Sequence, residues 1–459
     1  MKDGISRLID RETTLQIEDL THSGAGVGRV EGAVVFVPGA LPGEEVRVRV
    51  RSFRRGIARA ELLEIINPSG ERRLPECPRV DGCGGCTLQH MDYQAQLAMK
   101  TRQVRETLKR IGKLEGVEVK PTRGMEHPWR YRNNGQFHLE AGEDPPAVRI
   151  GYYRPGSREL LEVDDCLLMP APWREFLTII KNELNTLWRV MASEGRGFPL
   201  YHLLLRESFH TRQTALVLVL SDWDEPRWRE WIDGFLDRLP PGITLVAENL
   251  NPHPERAVLG GKTRVIHGLP RLRERIGDME FQLSPVSFYQ VNPEQTEVLY
   301  RQALEYAKPR DADLVFDLYC GTGTISLFLA REAGRVIGVE SLREAVKDAG
   351  ENARLNHIDN ARFIHSDVAE YLERYLKSGQ PAPSVVVLDP PRAGARPEVL
   401  ARIAALRPER VVYVSCDPAT LARDLRILTD SGFKVREVQP VDMFPQTSHT
   451  ESVALIRIK

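Results

Sequence analysis

The sequence predicts an α/β protein whose C-terminal part is a parallel sheet covered by helices. Residues 290–459 alternate near-continuous apolar strands, such as "SVVVLDPP", with helical patterns, which is typical of parallel sheets. Residues 13–66 instead carry short β-branched runs punctuated by glycine and proline, which indicates a small β-barrel. Residues 67–289 combine clustered cysteines, a helical stretch and several strands, so we expect a mixed α+β region between the two.

Length and composition indicate a globular protein of about three domains. The chain has 459 residues, of which 42% are hydrophobic and 28% are charged. The charged N-terminus has no apolar signal segment, and the longest apolar runs are too short to span a membrane. We therefore expect a cytoplasmic protein without a membrane partner. A monomer is our working expectation, on which these observations have no bearing. A net charge of −1 gives no indication of nucleic-acid binding from composition alone.

Two basic segments are candidate nucleic-acid surfaces. Val46, Val48 and Val50 alternate with arginines, so the valines face one side of a strand and the arginines the other. Residues 46–60 hold six arginines and no acid, which suits either a solvated outer face or a phosphate-binding face. The segment "WRYRNN" at 129–134 interleaves basic, aromatic and amide groups, as in surfaces that stack bases, but ordinary amphipathic strands do the same.

A glycine-rich turn follows an apolar strand in "DLYCGTGT". Gly321 and Gly323 allow a ligand to approach the backbone closely, and Glu340 ends the next strand, where its carboxylate can accept hydrogen bonds from a ribose. The D-x-x-x-G-x-G spacing that begins at Asp317 favours S-adenosylmethionine over NAD. Cys320 lies inside the turn, and we interpret it as a packing residue.

A second strand ends in Asp389-Pro390-Pro391-Arg392. The two prolines fix the backbone and leave Asp389 at the edge of the sheet. Many nucleobase methyltransferases carry Asp/Asn-Pro-Pro at this place. Those that methylate an exocyclic nitrogen usually continue with an aromatic residue, so Arg392 argues against that reaction.

The third strand end carries a cysteine, in "VVYVSCDPATLARDL". A thiolate that adds to C6 of uracil gives C5 enolate character, and C5 can then attack a sulfonium methyl group. A base must afterwards remove the C5 proton so that the thiolate can leave. Cys416 is the candidate nucleophile, and Glu451, just before the last apolar strand, is the candidate base. Taken singly, an inert buried cysteine and a surface acid are the commoner cases.

Four further cysteines indicate a metal centre: Cys77, Cys83 and Cys86 lie within ten residues, and Cys166 follows later. Four thiolates suit Zn²⁺ or an iron–sulfur cluster. The C-x5-C-x2-C spacing differs from the paired C-x2-C of most zinc ribbons and favours [4Fe-4S], although spacing alone leaves the metal open.

These motifs together resemble the RNA (uracil-5-)-methyltransferases, in particular the 23S ribosomal RNA type with a TRAM domain and an iron–sulfur cluster. The resemblance covers almost the whole chain, in the family's order: "GAGVGRVEGAVVFVPGALPGE", "CPRVDGCGGCTLQH", "SFYQVNPEQTEVLY", "DLYCGTGTISL", "VIGVE", "LDPPRAG", "SCDPATLARDL" and "HTESVALI". Thr324 stands where many members carry asparagine, and Tyr319 where many carry phenylalanine. Thr324 leaves one cofactor contact open.

The resemblance implies a Rossmann-like S-adenosylmethionine-dependent methyltransferase domain at 290–459. It implies a TRAM domain, an OB-like β-barrel, at 11–66, and a central mixed α+β domain at 67–289 that carries the cluster. The roles that it implies are a nucleophile (Cys416), a base (Glu451), a cofactor and uridine site (Gln290, Tyr319, Glu340, Asp367, Asp389) and [4Fe-4S] ligands (Cys77, Cys83, Cys86, Cys166). The arginines of 47–59 and "WRYRNN" become candidate RNA contacts.

The leading expectation is an enzyme that forms 5-methyluridine in 23S rRNA. The transfer-RNA branch of the family generally lacks both TRAM and cluster, which favours ribosomal RNA, but a transfer-RNA substrate stays open. Two other hypotheses are direct methyl transfer to a nitrogen and a non-catalytic RNA-binding iron–sulfur protein.

Overall fold

The computed structural model describes residues 9–143, 146–287 and 289–459. The helices are α1 (Val80–Cys83), α2 (Tyr93–Arg110), α3 (Trp173–Ser193), α4 (Pro226–Leu236), α5 (Pro293–Ala307), α6 (Thr324–Ala330), α7 (Arg343–Leu355), α8 (Val368–Lys377), α9 (Pro397–Leu406) and α10 (Pro418–Asp430). In these parts of the chain, no helix is both long and apolar enough to cross a bilayer.

The N-terminal strands form a closed barrel in the order β1-β2-β3-β5-β4, which confirms the barrel predicted from the sequence. Its strands are β1 (Glu12–Leu20), β2 (Gly26–Val30), β3 (Ala33–Val37), β4 (Glu45–Arg54) and β5 (Ile57–Asn67). Val46, Val48 and Val50 are buried in the barrel core, as the alternation along β4 predicts. The arginines between them face outwards.

The central strands form a seven-stranded sheet in the order β13-β12-β11-β10-β7-β8-β9. The strands are β7 (Asn134–Glu143), β8 (Pro146–Tyr153), β9 (Leu160–Glu162), β10 (Leu200–Glu207), β11 (Thr214–Leu220), β12 (Ile243–Leu250) and β13 (Lys262–Gly268). One face packs on α3 and α4, where Leu203, Leu205 and Trp228 are buried. The other face joins the core of the C-terminal domain through Ala215, Val217 and their neighbours.

The C-terminal strands form an eight-stranded sheet in the order β18-β17-β16-β19-β20-β22-β21-β6. The strands are β6 (Glu118–Val119), β16 (Leu314–Leu318), β17 (Arg335–Glu340), β18 (Ala361–His365), β19 (Val385–Leu388), β20 (Arg410–Ser415), β21 (Phe433–Val441) and β22 (Glu451–Ile458). The five strands from β18 to β20 run parallel, and β22 runs antiparallel to β20. Helices on both faces give the Rossmann-like layering expected from the alternation.

Three segments of the 67–289 region pack with the C-terminal sheet. The helical stretch expected in this region is α2, and its Val104 and Leu108 lie in the core beneath β20 and β21. Strand β6 extends the sheet by pairing parallel to β21. The hairpin β14 (Leu272–Ile276) and β15 (Met279–Leu283) packs against the opposite face.

Candidate active site

The candidate catalytic residues lie at the carboxyl edge of the parallel strands. Because these strands pair in register, the residues that follow β17, β16, β19 and β20 come side by side. Glu340 ends β17, Tyr319 follows β16, Asp389 follows β19 and Cys416 follows β20. Glu451 begins β22 at the same edge because that strand enters the sheet in the opposite direction. One sheet edge thus collects residues that are 132 positions apart in the chain.

The glycine-rich turn has a backbone that suits a bound cofactor. Tyr319, Gly321 and Gly323 have φ values of 65°, 54° and 81°, in the left-handed region that glycine tolerates best. Gly323 is packed so closely that a Cβ would lie 2.9 Å from the Cβ of Ala349, whereas a Cβ on Gly321 would meet only open space. The turn is therefore held by packing at Gly323 and is open to a ligand at Gly321.

Glu340 reaches the turn from the neighbouring strand. Its carboxylate accepts hydrogen bonds from the amide of Gly321 at 3.1 Å and from the amide of Leu342 at 2.8 Å. The predicted proximity of acid and turn is thus observed. These amides orient the carboxylate beside the opening.

Cys416 and Glu451 are neighbours across the β20–β22 ladder. Ser415 pairs with Ser452, so the next residue on β20 lies beside the first residue of β22. Cys416 is half-buried, and Glu451 is 5% exposed. Asp417 caps α10 by accepting from the amides of Ala419 and Thr420, which ends the strand and turns the chain at the thiol.

Burial and like charges raise the pKa values of the groups at this edge. Burial, followed by the charges of Glu451 and Asp389, raises the pKa of the Cys416 thiol to about 11. Burial and Asp389 raise the pKa of Glu451 to about 8, and burial raises that of Asp389 to about 6. Arg392 acts in the opposite direction on both Cys416 and Glu451. A partly desolvated sheet edge that carries several acidic groups favours the binding of a cation.

The loop before Glu451 is held by contacts that are distant in sequence. Gln446 has a φ of 68°, which is unusual for a residue with a side chain. Its carbonyl accepts from the amides of Thr87 and Leu88, both at 3.0 Å, and its side-chain oxygen accepts from Gln96 Nε2 at 3.0 Å. Lys100 on α2 is buried against Asp442 at the start of the same loop. These contacts fix the direction from which Glu451 enters the sheet.

Gln290 and Asp367 are each held by a contact with another segment of the chain. The Gln290 carbonyl accepts from Asn133 Nδ2 at 3.1 Å, so the "WRYRNN" segment anchors the chain around Gln290. Asp367 caps α8 and forms an ion pair with Arg396 at 2.5 Å. Its charge, with that of Arg396, influences the pKa of Tyr319, which places it at the same edge.

Cys77, Cys83, Cys86 and Cys166 line one cavity on the central domain. Burial, followed by the nearby Cys166 and Cys83, raises the pKa of Cys86 to about 12. The sequence prediction that distant Cys166 joins the other three is consistent with this convergence. Among the residues that the structure describes, however, no three His, Cys, Asp or Glu side chains are arranged as a metal site.

The outward arginines of the barrel are paired with acids from neighbouring strands. Arg47 contacts Glu64 at 2.6 Å, Arg49 contacts Glu12 at 2.7 Å, and Arg51 contacts Glu61 at 2.6 Å. The segment 46–60 contains no acid, but β1 and β5 supply acids in space. The face is therefore less cationic than the sequence of β4 suggests.

Two polar residues near the site were missed by sequence reasoning: Arg206 and Tyr289 are 6% and 4% exposed and line the same cavity as the cysteines. Arg206 is a basic residue near the end of the apolar run "LLLRE", and a charge in such a strand was the available signal.

Comparisons with known proteins identify the family of this chain. Residues 270–459 match the family described as tRNA (Uracil-5-)-methyltransferase, and residues 7–63 match the TRAM domain. An uncharacterized RNA methyltransferase of Halalkalibacterium halodurans is 42% identical over 444 residues, 96% of each chain. The chain belongs to the RNA (uracil-5-)-methyltransferase family. As a member of this family it is an S-adenosylmethionine-dependent enzyme that acts on RNA.

Two further comparisons extend over nearly the full length. An uncharacterized RNA methyltransferase of Caldanaerobacter subterraneus is 40% identical, covering 98% of each chain. The crystal structure of the Pyrococcus abyssi tRNA (uracil-54, C5)-methyltransferase in complex with S-adenosyl-L-homocysteine is 27% identical with a TM-score of 0.75. The match covers 96% of this chain and 99% of that one. The fold that this chain shares with the Pyrococcus abyssi enzyme therefore includes the barrel and the central sheet.

Proposed function

We propose that this enzyme methylates C5 of a uridine through a covalent bond between Cys416 and C6. The observation that carries the proposal is the adjacency of Cys416 and Glu451 at the sheet edge that also presents the glycine-rich turn. A nucleophile and a base beside a cofactor turn are the groups that this reaction requires.

The reaction assigned to these residues balances in three steps. Cys416 loses its proton to solvent and adds to C6 as the thiolate. The C5 that becomes electron-rich bonds to the methyl group, whose bond to the sulfonium sulfur breaks so that the sulfur leaves as a neutral thioether. Glu451 then removes the proton from C5, and the electron pair returns to expel the thiolate from C6. Glu451 acts in its ionised form, and its raised pKa makes it a stronger base than an exposed carboxylate.

S-adenosylmethionine supplies the electrophilic methyl group and a sulfonium charge. Tyr319, Glu340, Asp367, Asp389 and Gln290 are the residues that we assign to its binding and to the uridine. The fit rests on the left-handed, open turn at Gly321 and on the acidic edge, since a sulfonium cation is favoured beside Asp389 and Glu340.

We assign the target uridine to 23S rRNA, on the resemblance to the ribosomal RNA type of the family. A transfer RNA is the second candidate. The Pyrococcus abyssi enzyme, whose name gives a tRNA uridine as target, aligns with 96% of this chain, so this architecture does not by itself exclude a tRNA substrate.

We also propose that Cys77, Cys83, Cys86 and Cys166 hold a [4Fe-4S] cluster. Their convergence on one cavity supports it, and binding would draw the thiols into ligand positions. Polar methyl transfer needs no electron, so the role assigned to the cluster is structural. Anaerobically purified protein should contain iron and acid-labile sulfide in equal amounts, and Cys166→Ser should lose both. Zinc without sulfide would contradict the proposal.

Oxidative loss of that cluster should weaken RNA binding or thermal stability before it changes the affinity for S-adenosylmethionine. Titration calorimetry with the cofactor and filter binding with RNA, on the same oxidised sample, measure the two. The reverse order would contradict a structural role.

Product analysis tests the proposed reaction. The enzyme is incubated with labelled S-adenosylmethionine and either 23S rRNA fragments or a tRNA transcript, and the digested nucleosides are separated. Label in 5-methyluridine is the expected result, and the RNA that carries it identifies the substrate. Label in an N-methylated nucleoside would support direct transfer, and cofactor binding without methylation of any RNA would support a non-catalytic protein.

A further inference from the structure

A cavity of about 780 Å³ lies between the central sheet, the cysteine loop and the segment before Gln290. Arg206 of β10 lines it and is buried, with one guanidinium nitrogen donating to the carbonyl of Ser284 at 3.1 Å. No carboxylate of the described ranges lies within ion-pair distance of this guanidinium. Burying a cation without a counter-charge costs several kcal/mol in general, so this arrangement favours an anionic ligand.

A second buried group at the cavity lacks a partner. The Tyr289 hydroxyl is buried and, among the described residues, has no hydrogen-bond partner. Arg206 and Tyr289 lie close enough for each to influence the pKa of the other. Buried polar atoms are nearly always satisfied, so an unpaired hydroxyl beside a guanidinium that has no counter-charge indicates a site for an acceptor.

Apart from the four cysteines, the charged side chains of the cavity wall are Arg206 and Arg132. No Asp or Glu is among the lining residues for which the structure gives positions. Arg206 pairs with Asn134 in the β7–β10 ladder, and Arg132 Nε donates to the Asn134 carbonyl at 3.0 Å, so the two arginines lie on the same part of the wall.

We propose that Arg206 and Tyr289 bind a phosphate of the RNA strand next to the target uridine. The inference rests on the proposed function and adds a substrate contact to it. A guanidinium can donate two parallel hydrogen bonds to phosphate, and the hydroxyl supplies a third. Ser284 and Tyr289 bracket the segment that leads to Gln290, so a phosphate here is held beside the uridine site.

The site has a role in presenting the base. C6 of a uridine is reached only when the nucleotide leaves its stack, and that rotation occurs about the backbone. A phosphate fixed by Arg206 holds one side of the rotated nucleotide while Cys416 and Glu451 act on the base. Loss of the contact should therefore weaken RNA binding and leave the binding of S-adenosylmethionine unchanged.

Salt dependence of RNA binding is the first test. Arg206→Met should weaken binding of the substrate RNA about tenfold. It should also reduce the slope of log K against log salt concentration by about one, as expected for the loss of one phosphate contact. Arg206→Lys should recover part of both, and Tyr289→Phe should weaken binding severalfold. Arg238→Met is the control, since Arg238 is a surface residue of the same domain that contacts Glu183 at 2.8 Å. It should change neither quantity.

Neutral methylphosphonate linkages placed one at a time beside the methylated uridine are the second test. At one position, the neutral linkage should weaken RNA binding by the wild-type enzyme. The same linkage should not weaken RNA binding by Arg206→Met any further. If every linkage affects both proteins equally, the phosphate site is wrong. If Arg206→Met does not fold, the same scan on Tyr289→Phe decides, with a reduced effect at one linkage expected and an unchanged profile contradicting the site.

Three other outcomes separate the hypotheses. If Arg206→Met weakens the binding of S-adenosylmethionine but leaves the salt slope for RNA unchanged, the anion is the cofactor carboxylate and the inference is overturned. If the wild-type enzyme binds RNA with this Arg206-dependent slope but methylates no uridine, the proposed function fails while the phosphate site stands. Normal methylation by wild type with an unchanged slope in Arg206→Met overturns the phosphate site alone.

Discussion

Cys320 and Cys416 occupy similar places in the same sheet but different surroundings. Each follows a parallel strand at the carboxyl edge, two strands apart. Cys320 is 7% exposed, and its sulfur lies so close to β17 that a Cβ on Gly338 would be 2.9 Å away. Cys416 is half-buried and lies beside Glu451, Asp389 and Arg392.

The difference shows that a strand-end position is not sufficient for a reactive thiol. Burial raises the pKa of both cysteines, and that of Cys320 is raised well above its usual value. What distinguishes Cys416 is its partial exposure together with a buried acid that comes from the last strand of the chain. The expected reactivity depends on this pair and not on the cysteine alone.

Alanine substitution should separate the two thiols most strongly. Cys416→Ala should lower kcat/KM for methyl transfer by at least about 10⁴-fold, because the covalent route is lost. Cys320→Ala should stay within a fewfold of wild type and cost about 1 kcal/mol of stability from lost packing. Single-turnover assays and denaturant unfolding measure the two effects. Equal losses of activity in the two variants would contradict the proposed difference between Cys416 and Cys320.

Substitution of the base should block the reaction after methyl transfer. Glu451→Gln should lower turnover by about 10²–10⁴-fold, since proton removal from C5 needs the carboxylate. The methylated RNA should then accumulate bound to Cys416 and survive a denaturing gel. Glu409→Gln, at the opposite end of β20, is the matched control and should form no such complex. Absence of the complex in active Glu451→Gln would exclude Glu451 as the base.

The pH dependence should follow the ionisation of Glu451. A base is active when deprotonated, and the pKa of Glu451 is raised to about 8, so below that pH kcat/KM of the wild type should rise more steeply with pH than that of Glu451→Gln. Ionisation of Cys416, whose pKa is raised to about 11, should continue the rise in both proteins above pH 8. The pH dependence of the folding stability has the opposite sign to that of kcat/KM. A raised carboxyl pKa stabilises the fold below the unfolded value and loses that contribution as pH rises through about 8. Glu451→Gln should therefore be more stable than wild type at pH 9, by thermal denaturation, and an equal or lower stability would contradict the raised pKa.

Alkylation rates should show the smallest effect. Because the Glu451 charge raises the pKa of Cys416, Glu451→Gln should speed iodoacetamide labelling of Cys416 severalfold at pH 9. Cys320 is screened by packing and should be labelled slowly and equally in both proteins. Peptide mass spectrometry follows each thiol separately, and faster labelling of Cys320 than of Cys416 would reverse the comparison.

The sequence predicted the elements of this edge well, because strand ends, turns and their order are local patterns. The barrel, the parallel sheet and the strand-end positions of Cys416 and Glu340 follow from period and punctuation. Glu451 reaches the same edge because β22 runs antiparallel to β20, which the local pattern does not specify. Contacts between distant segments were not predictable. The acids that pair with Arg47 and Arg49 come from β1 and β5. The hydrogen bonds to Gln446 come from α2 and from the amide of Thr87.

The most direct measurement is to trap the nucleophile with RNA that contains 5-fluorouridine. Fluorine at C5 cannot leave as a proton, so the adduct should persist after methyl transfer. Tryptic mass spectrometry of the denatured complex should find the methylated nucleotide on peptide 411–423, which contains Cys416, and none on peptide 311–331, which contains Cys320. That result, lost in Cys416→Ala, is the prediction. An adduct on Cys320, or turnover of the RNA without any adduct, would contradict the account.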